Sequence, residues 1–494
     1  PGVHVPAERA LNNRIAKRYS EMKDSLKTEL KETKYICTTA DIWSANKKSY
    51  MGVTAHWIKG DTTRKSVALA CRRFKGSHTY DCIAELLLEI FAEYEINVRK
   101  IVATVTDNGS NFVKAFKDYA QVDGEDMDED EEDGDDAELE IVDLTTTLDQ
   151  GNESQLDIFL PPHHRCASHT LNLIGSHDID AALRENGLYK RLHNSAMAKC
   201  QALWNASLRP KAAEVVQEVC GKQLLVPCTT RWNSRYDAVR RLTELKQKLR
   251  ELCVALSVHP FKDAEIEFLE EYVIVLRPLA AAIDILQGEN NCYLGYLLPT
   301  LLIVKKSMRA LINGSLVHAQ SLASAIILGL QQRFGILFEM GDAAKEHILA
   351  SITHPYFKMH WVPDDKKEHC RQVFLESAQR FAAKEVEIPC SATSANSQYD
   401  EFFSFTTEAT TKNEEADVNR AQLQCLQYLD NIDKSISTLK PYQVIEEMFV
   451  KYNTPIPSSA PVERLFSTGG LVFTKRRNGL SDTTFEKLLL LKKN

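Results

Sequence analysis

The sequence predicts an α/β fold, a mixed sheet flanked by helices, that is interrupted by a large all-α stretch before the chain returns to the sheet. Three observations predict it. Apolar, β-branched runs follow one another closely between residues 35 and 74 and recur at 101–106, each bounded by turn residues. Segments with apolar residues three and four apart fall between the later strands, the helical period. From about residue 165 to 444 strand signals fade and helical ones dominate, as in Ala264 to Leu286 and Tyr293 to Leu311.

Taken in order, the first 30 or so residues carry Ala10-Leu11, Ile15-Ala16 and Tyr19 among charges and read as a helical lead-in. Residues 35–41, 50–58 and 66–74 read as three consecutive strands, with Gly60-Asp61 as the turn between the last two. Ile83, Leu86, Leu87, Ile90 and Phe91 make an amphipathic helix of Tyr80 to Tyr94. A fourth strand covers 101–106, and a helix from Ser110 to Tyr119 follows, capped by Asn108 or Ser110. Leu156 to Leu160 reads as a short fifth strand stopped by Pro161-Pro162. The polar stretch 389–417 reads as a flexible loop. Near the end, Thr483 and Glu486 have the spacing of a capping box for a Leu-rich helix.

At 494 residues the chain has room for several domains or for one with a large insertion. The apolar share of 44% and charged share of 26% are those of a globular protein, and no stretch reads as a membrane span. The net charge of -8 is unevenly placed: residues 123–140 hold thirteen acids and no base, so the remainder stands at +5. This acidic run reads as a solvated loop, or as a mimic of DNA laid on a basic surface. Twelve cysteines without a Cys-x-x-Cys pair fit reduced thiols of the cytosol or nucleus.

The candidate chemistry lies in three acids. Asp41 closes the run Tyr35-Ile36-Cys37-Thr38-Thr39-Ala40-Asp41, and Asp107 closes Ile101-Val102-Ala103-Thr104-Val105-Thr106-Asp107. Far downstream, Ser459-Ala460-Pro461-Val462-Glu463-Arg464-Leu465-Phe466-Ser467 offers Glu463. Carboxylates meeting at strand ends suit hard divalent cations such as Mg²⁺, which take oxygen ligands. Two such ions flanking a phosphodiester would serve in-line displacement. The bland reading is that acids often follow strands as turn or cap residues.

Three strands, helix, strand, helix, strand, with one acid on the first strand and one after the fourth, is the arrangement of a ribonuclease-H-like core. The chain resembles the hAT superfamily of DNA transposases (hobo and Activator relatives), and looks closest to the Tol-type elements of fish. The resemblance runs through Thr38-to-Trp43, Gly52-to-Trp57, Thr106-to-Asn111, Cys166-Ala167-Ser168-His169, Thr230-Arg231-Trp232-Asn233-Ser234 and Ser459-to-Ser467.

The resemblance implies a DDE triad of Asp41, Asp107 and Glu463 holding two Mg²⁺ or Mn²⁺ ions. It also implies excision with hairpins on the flanking donor DNA, and joining of 3′ ends to target DNA. Double-stranded element ends and target DNA would be the partners, with a second copy of the chain for a homodimer or larger assembly, in the nucleus and away from membrane. The implied layout is a lead-in at 1–30, core at 31–162 with an acidic loop at about 121–155, helical insertion at 163–444, and core again at 445–494 with a carboxy-terminal dimerisation region.

Several residues carry two readings. Trp232, beside Arg231, stands at the family's position for stacking on an extruded base, whereas a Trp in a helical region is ordinarily core. Lys475, Arg476 and Arg477 read as phosphate contacts or as a solvated turn. Cys166 and His169 read as organising the active-site region, with zinc ligation alongside His163 and His164 as the lesser option. The Leu-rich tail packs on its own core or on a second copy. The motif of the family's BED zinc finger does not precede Asp41, so the chain is read as starting after that module or as lacking it. The runner-up function is a domesticated relative that binds DNA and regulates without cutting.

Overall fold

The computed structural model describes residues 8–45, 47–76, 79–107, 109–119, 159–180, 184, 186–228, 232–288, 292–385, 412–473 and 480–494. The expected acidic loop and residues 389–411 of the expected flexible loop lie outside them.

Five strands form one mixed sheet: β1 (Ile36–Ala45), β2 (Lys48–Ile58), β3 (Arg64–Phe74), β4 (Ile101–Thr106) and β5 (His163–Arg165), in the order β3-β2-β1-β4-β5. β1 to β3 form an antiparallel meander, and β4 and β5 add parallel to β1. Strands with both faces covered read as continuous apolar runs. Residues 50–58 of β2 are accordingly all buried.

One face of the sheet is covered by α1 (Glu8–Glu32), α2 (Tyr80–Glu93) and α3 (Ser110–Asp118). Leu26, Leu30, Ile83, Leu87, Ile90, Phe112 and Phe116 meet Ile36, Ala40, Met51, Val53 and Leu69 there in one buried cluster. Helical residues at intervals of three and four thus meet strand residues at intervals of two.

The next helices are α4 (Ala167–Leu173), with a π-helical turn at Ile174–Asp178, α5 (Gly187–Ser207), α6 (Pro210–Cys220), α7 (Trp232–Glu244), α8 (Leu249–Ala255) and α9 (Asp263–Leu286). They continue with α10 (Leu297–Ile312), α11 (Gln320–Glu339), α12 (Lys345–Thr353), α13 (Lys367–Glu385), α14 (Lys412–Asp430) and α15 (Gln443–Asn453). These helices share a second large core. α11 is long and apolar enough to cross a membrane by length and composition alone. Its Leu322, Ile326, Leu330, Phe334 and Leu337 are buried in that core, and Arg333 pairs with Asp178 at 3.1 Å. It is therefore a core helix.

The last two helices return to the sheet. On its second face Val462, Leu465 and Phe466 of α16 (Ala460–Val472) and Phe485, Leu489 and Leu490 of α17 (Asp482–Lys493) pack on Tyr50, Ala68 and Cys71. The Leu-rich tail is thus spent on the chain's own core. Along the β3 edge, Glu486 accepts the Cys71 N–H at 3.1 Å, and the Asn494 side chain both accepts from and donates to Ala68. Satisfying edge groups in this way blocks pairing with another strand.

Several expectations need correction. β1 continues to Ala45, so Asp41 lies within the strand, because the β1–β2 hairpin pairs through Ala45↔Lys48. The fifth strand lies after the prolines, not at 156–160: Pro162 lacks an N–H, but its carbonyl accepts from Thr104 at 2.7 Å and opens the parallel ladder. That strand is part of the sheet, although it falls beyond the expected boundary at 162. At the other boundary, Val444, Ile445, Met448 and Phe449 place α15 in the helical core. α14 begins at Lys412, inside the expected loop. The N-cap of α3 is Gly109, and that of α17 is Ser481, whose hydroxyl accepts from Thr484 N–H at 3.2 Å. Glu486 is turned instead toward β3.

Candidate active site

Side chains alternate between the faces of a strand. The register pairs Asp41 with Gly52 and Thr39 with Thr54 across β1–β2, and Thr39 with Val105 and Ala40 with Thr106 across β1–β4. Cys37, Ala103 and Val105 share one buried cluster with Cys166 and Ile456. Continuing the alternation by one step puts Asp107 level with Asp41 on that same face, on the neighbouring strand. Strand neighbours stand about 4.8 Å apart. Gly52 flanks Asp41 on the other side, and α16 lies over it.

Glu463 sits in the first turn of α16, after Pro461. Val462, Phe466 and Gly469 form the face that meets the sheet: Phe466 stacks on Trp43 at 5.7 Å, and Gly469 lies against the Trp43 ring. One residue of helix is a rotation of about 100°. Glu463 is thereby turned to the flank of the seated face while Val462 is buried in it, and it remains half-buried.

All three acids are half-buried. The Ile42 N–H donates to Asp41 Oδ1 at 2.7 Å, and the Gly109 N–H donates to Asp107 Oδ1 at 3.1 Å. Burial pushes the Asp41 carboxyl up to about 7, and the Asp107 charge adds to this; the Ile42 N–H opposes it, and the Glu463 charge adds further. The three carboxylates therefore share one field, whose excess negative charge a cation would offset. Among the described residues no three His, Cys, Asp or Glu side chains stand together as a group that could hold a metal ion, so the link between the acids is electrostatic.

Cys166 joins three elements. Its N–H donates to Thr106 O at 2.8 Å, and its Sγ accepts the His169 N–H and the Ser459 N–H, each at 3.3 Å. The end of β4, the start of α4 and the start of α16 thus meet at one residue, the first through its backbone N–H and the other two through its sulfur. Burial pushes this thiol up, keeping it protonated, which is unlike a metal thiolate. His163 stacks on Phe116 at 4.6 Å and bonds Thr106 at 2.8 Å, while His164 faces Glu346 and His347. These histidines and Cys166 therefore do not gather around a zinc position.

Trp232 opens α7, but its side chain lies outside the described residues, as do Arg231, Lys475, Arg476 and Arg477. Two arginines join the layers around the site. Arg464 donates to the Gln287 carbonyl at the end of α9, and Arg64 donates to the Asn453 carbonyl and to Thr454 O at 2.8 Å. Both join the sheet layer to the helical body. Their surroundings in the sequence do not single them out: Arg64 lies between Thr63 and Lys65, and Arg464 follows Glu463.

Residues 39–127 match a family model described as the ZBED1 RNase-like domain, a span that contains Asp41 and Asp107. Proteins of Zea mays named as AC and AC9 transposases are each 27% identical over 242 residues, 48% of this chain and 26% and 25% of theirs. A transcriptional regulator of Talaromyces stipitatus, tpeD, is 25% identical over 108 residues, 22% of this chain and 13% of its own length. The chain thus spans about a quarter of the length of the maize relatives it matches. The narrower likeness to Tol-type elements rests on the motifs alone. In sequence, the chain is a relative of the hAT transposases.

Proposed function

We propose that this chain carries the catalytic core of a cut-and-paste DNA transposase, with Asp41, Asp107 and Glu463 as its DDE triad. The observation that carries the reading is the register: two acids level on adjacent strands, with the helix bearing the third laid over the next strand. The strand order and directions agree with a ribonuclease-H-like core, and the helices between β5 and α16 with an insertion into it.

Asp41, Asp107 and Glu463 would hold Mg²⁺ or Mn²⁺, two ions in the working complex. When bound, these supply charge neutralisation and activation of the attacking oxygen. The chain's own share is positioning. The backbone N–H groups of Ile42 and Gly109 fix one oxygen of each aspartate and leave the other for the site. Water would attack the first phosphodiester and free a 3′-hydroxyl on the flanking donor DNA; that hydroxyl would attack the opposite strand, closing the donor hairpin and displacing the element's 3′-hydroxyl, which would then attack a target phosphodiester and displace its 3′ oxygen. Because the partner is DNA, the nucleus is the working compartment. Basic surface outside the acidic stretch holds the DNA backbone, so affinity falls steeply with salt. Self-association holds two element ends together for joining.

A second reading, a regulator that binds DNA without cutting, is favoured by the relative named as a transcriptional regulator. Strand transfer separates the two. Pre-cut element ends, supercoiled plasmid and Mg²⁺ or Mn²⁺ should yield joined product with the parent chain, and none with Asp107→Asn or Glu463→Gln. Bound ends without joining by the parent would favour the regulator. Joining by Glu463→Gln would remove Glu463 from the triad.

A further inference from the structure

We infer that Gly52 is a positioning residue whose missing side chain sets how closely α16 lies on the sheet, and hence where Glu463 stands relative to Asp41. The inference rests on the proposed function, but its observations are separate. Gly52 is the cross-strand partner of Asp41. A Cβ there would come within 2.5 Å of Phe466 Cε1 and 2.7 Å of Val462 Cγ2, against about 3.4 Å for ordinary contact. Neither neighbour can step aside. Val462 is β-branched, on a helix and buried, and the Phe466 ring is buried and stacked on Trp43 of β1.

The relief must therefore come from the helix, which has to rise by roughly 0.7–0.9 Å at this point. Its amino-terminal end cannot follow freely, because Ser459 is bonded to Cys166 Sγ and Arg464 to the Gln287 carbonyl. Lifting the middle while the start stays tethered tilts the first turn, where Glu463 sits. Constellations of this kind work within about 0.5 Å, and a misplacement of about 1 Å can cost on the order of 100-fold in rate. Gly52 is on this view kept small for the geometry of the triad, not for a turn: its backbone lies within the regular ladder of β2.

The test compares the full parent chain, Gly52→Ala, and the relieved variant Gly52→Ala/Val462→Ala/Phe466→Leu, which removes the atoms the new methyl would strike. Three quantities are read: strand cleavage, Mn²⁺ binding by calorimetry without DNA, and amide exchange of residues 460–472. Gly52→Ala should bind element ends as the parent does, cleave about 100-fold more slowly, bind Mn²⁺ about tenfold more weakly and exchange faster in α16. The relieved variant should recover at least tenfold of the cleavage and most of the Mn²⁺ affinity. Recovery separates positioning from a general loss of fold, including the case in which Gly52→Ala alone folds poorly. Unchanged Mn²⁺ affinity and exchange in Gly52→Ala, or no recovery on relief, would overturn the inference while leaving the proposed function standing. Failure of the parent to bind Mn²⁺ or to cleave would overturn the proposed function, and this role of Gly52 with it.

Discussion

Replacing Asp41 with Asn should stabilise the metal-free protein at alkaline pH. Asp41 is buried beside Asp107 and within the field of Glu463, which lifts its carboxyl from the ordinary 3.8 to about 7. A raised folded-state value means that the folded chain holds the proton more tightly than the unfolded chain. The contribution to stability is therefore complete below pH 4 and is lost progressively as pH rises through about 7. At 1.36 kcal/mol per pH unit the gap amounts to about 4 kcal/mol above pH 7. Asn is nearly isosteric, carries no charge, and its Oδ1 can still accept the Ile42 N–H.

The assay is urea unfolding of parent and Asp41→Asn in EDTA, at pH 8 and again at pH 4.5. The variant should be more stable by up to about 4 kcal/mol at pH 8, with the difference shrinking to about 1 kcal/mol at pH 4.5. Adding Mg²⁺ at pH 8 should then stabilise the parent more than the variant, since ligands raise stability only where they bind the folded state. Equal stability of the two proteins at pH 8, or a difference that does not change with pH, would refute the claim that burial, reinforced by the neighbouring acids, raises this carboxyl.

Two further substitutions probe how the site is held. Cys166→Ala removes the acceptor of two backbone N–H groups, those of His169 and Ser459, and should cost about 2 kcal/mol in urea unfolding, with Cys166→Ser recovering part of it. Arg64→Met should cost about 2–4 kcal/mol, because it leaves the Asn453 and Thr454 carbonyls without their donor and removes the cation 4.8 Å over the Tyr293 ring. Arg64→Lys should restore less than half of that, since one ammonium cannot reproduce the forked donation. A full rescue by Lys would show that charge alone matters there.

Local readings of the sequence fared best where one segment carries its own pattern. β4 and α2 fall where their apolar spacing puts them, because a continuous buried run or a three-four stripe needs no distant partner to be recognised. They fared worst at ends. Asp41 was expected to end its strand, yet Ile42 to Ala45 continue it only because β2 supplies the ladder. The fifth strand slid past Pro161-Pro162 for the same reason: its few residues become a strand by pairing with β4. The caps also depend on neighbours: Gly109 caps α3 with its own N–H held by Asp107, and Ser481 caps α17 while Glu486 accepts from Cys71 on β3.

By itself the sequence determined the alternation of strands and helices, the uneven charge, and the presence of three candidate acids, since residue type and periodicity are properties of the chain. Which atoms meet was decided by the tertiary structure. Only the register of β1 with both neighbours sets Asp41 level with Asp107 and opposite Gly52, and only the return of α16 to the sheet, long after β5, brings the Glu463 charge into the field of Asp41. Nothing in a linear pattern says that Cys166 accepts from Ser459, or that a glycine in mid-strand leaves room for Phe466. Such contacts depend on how whole layers pack, and close packing settles them to a fraction of an ångström that no spacing along the chain can express.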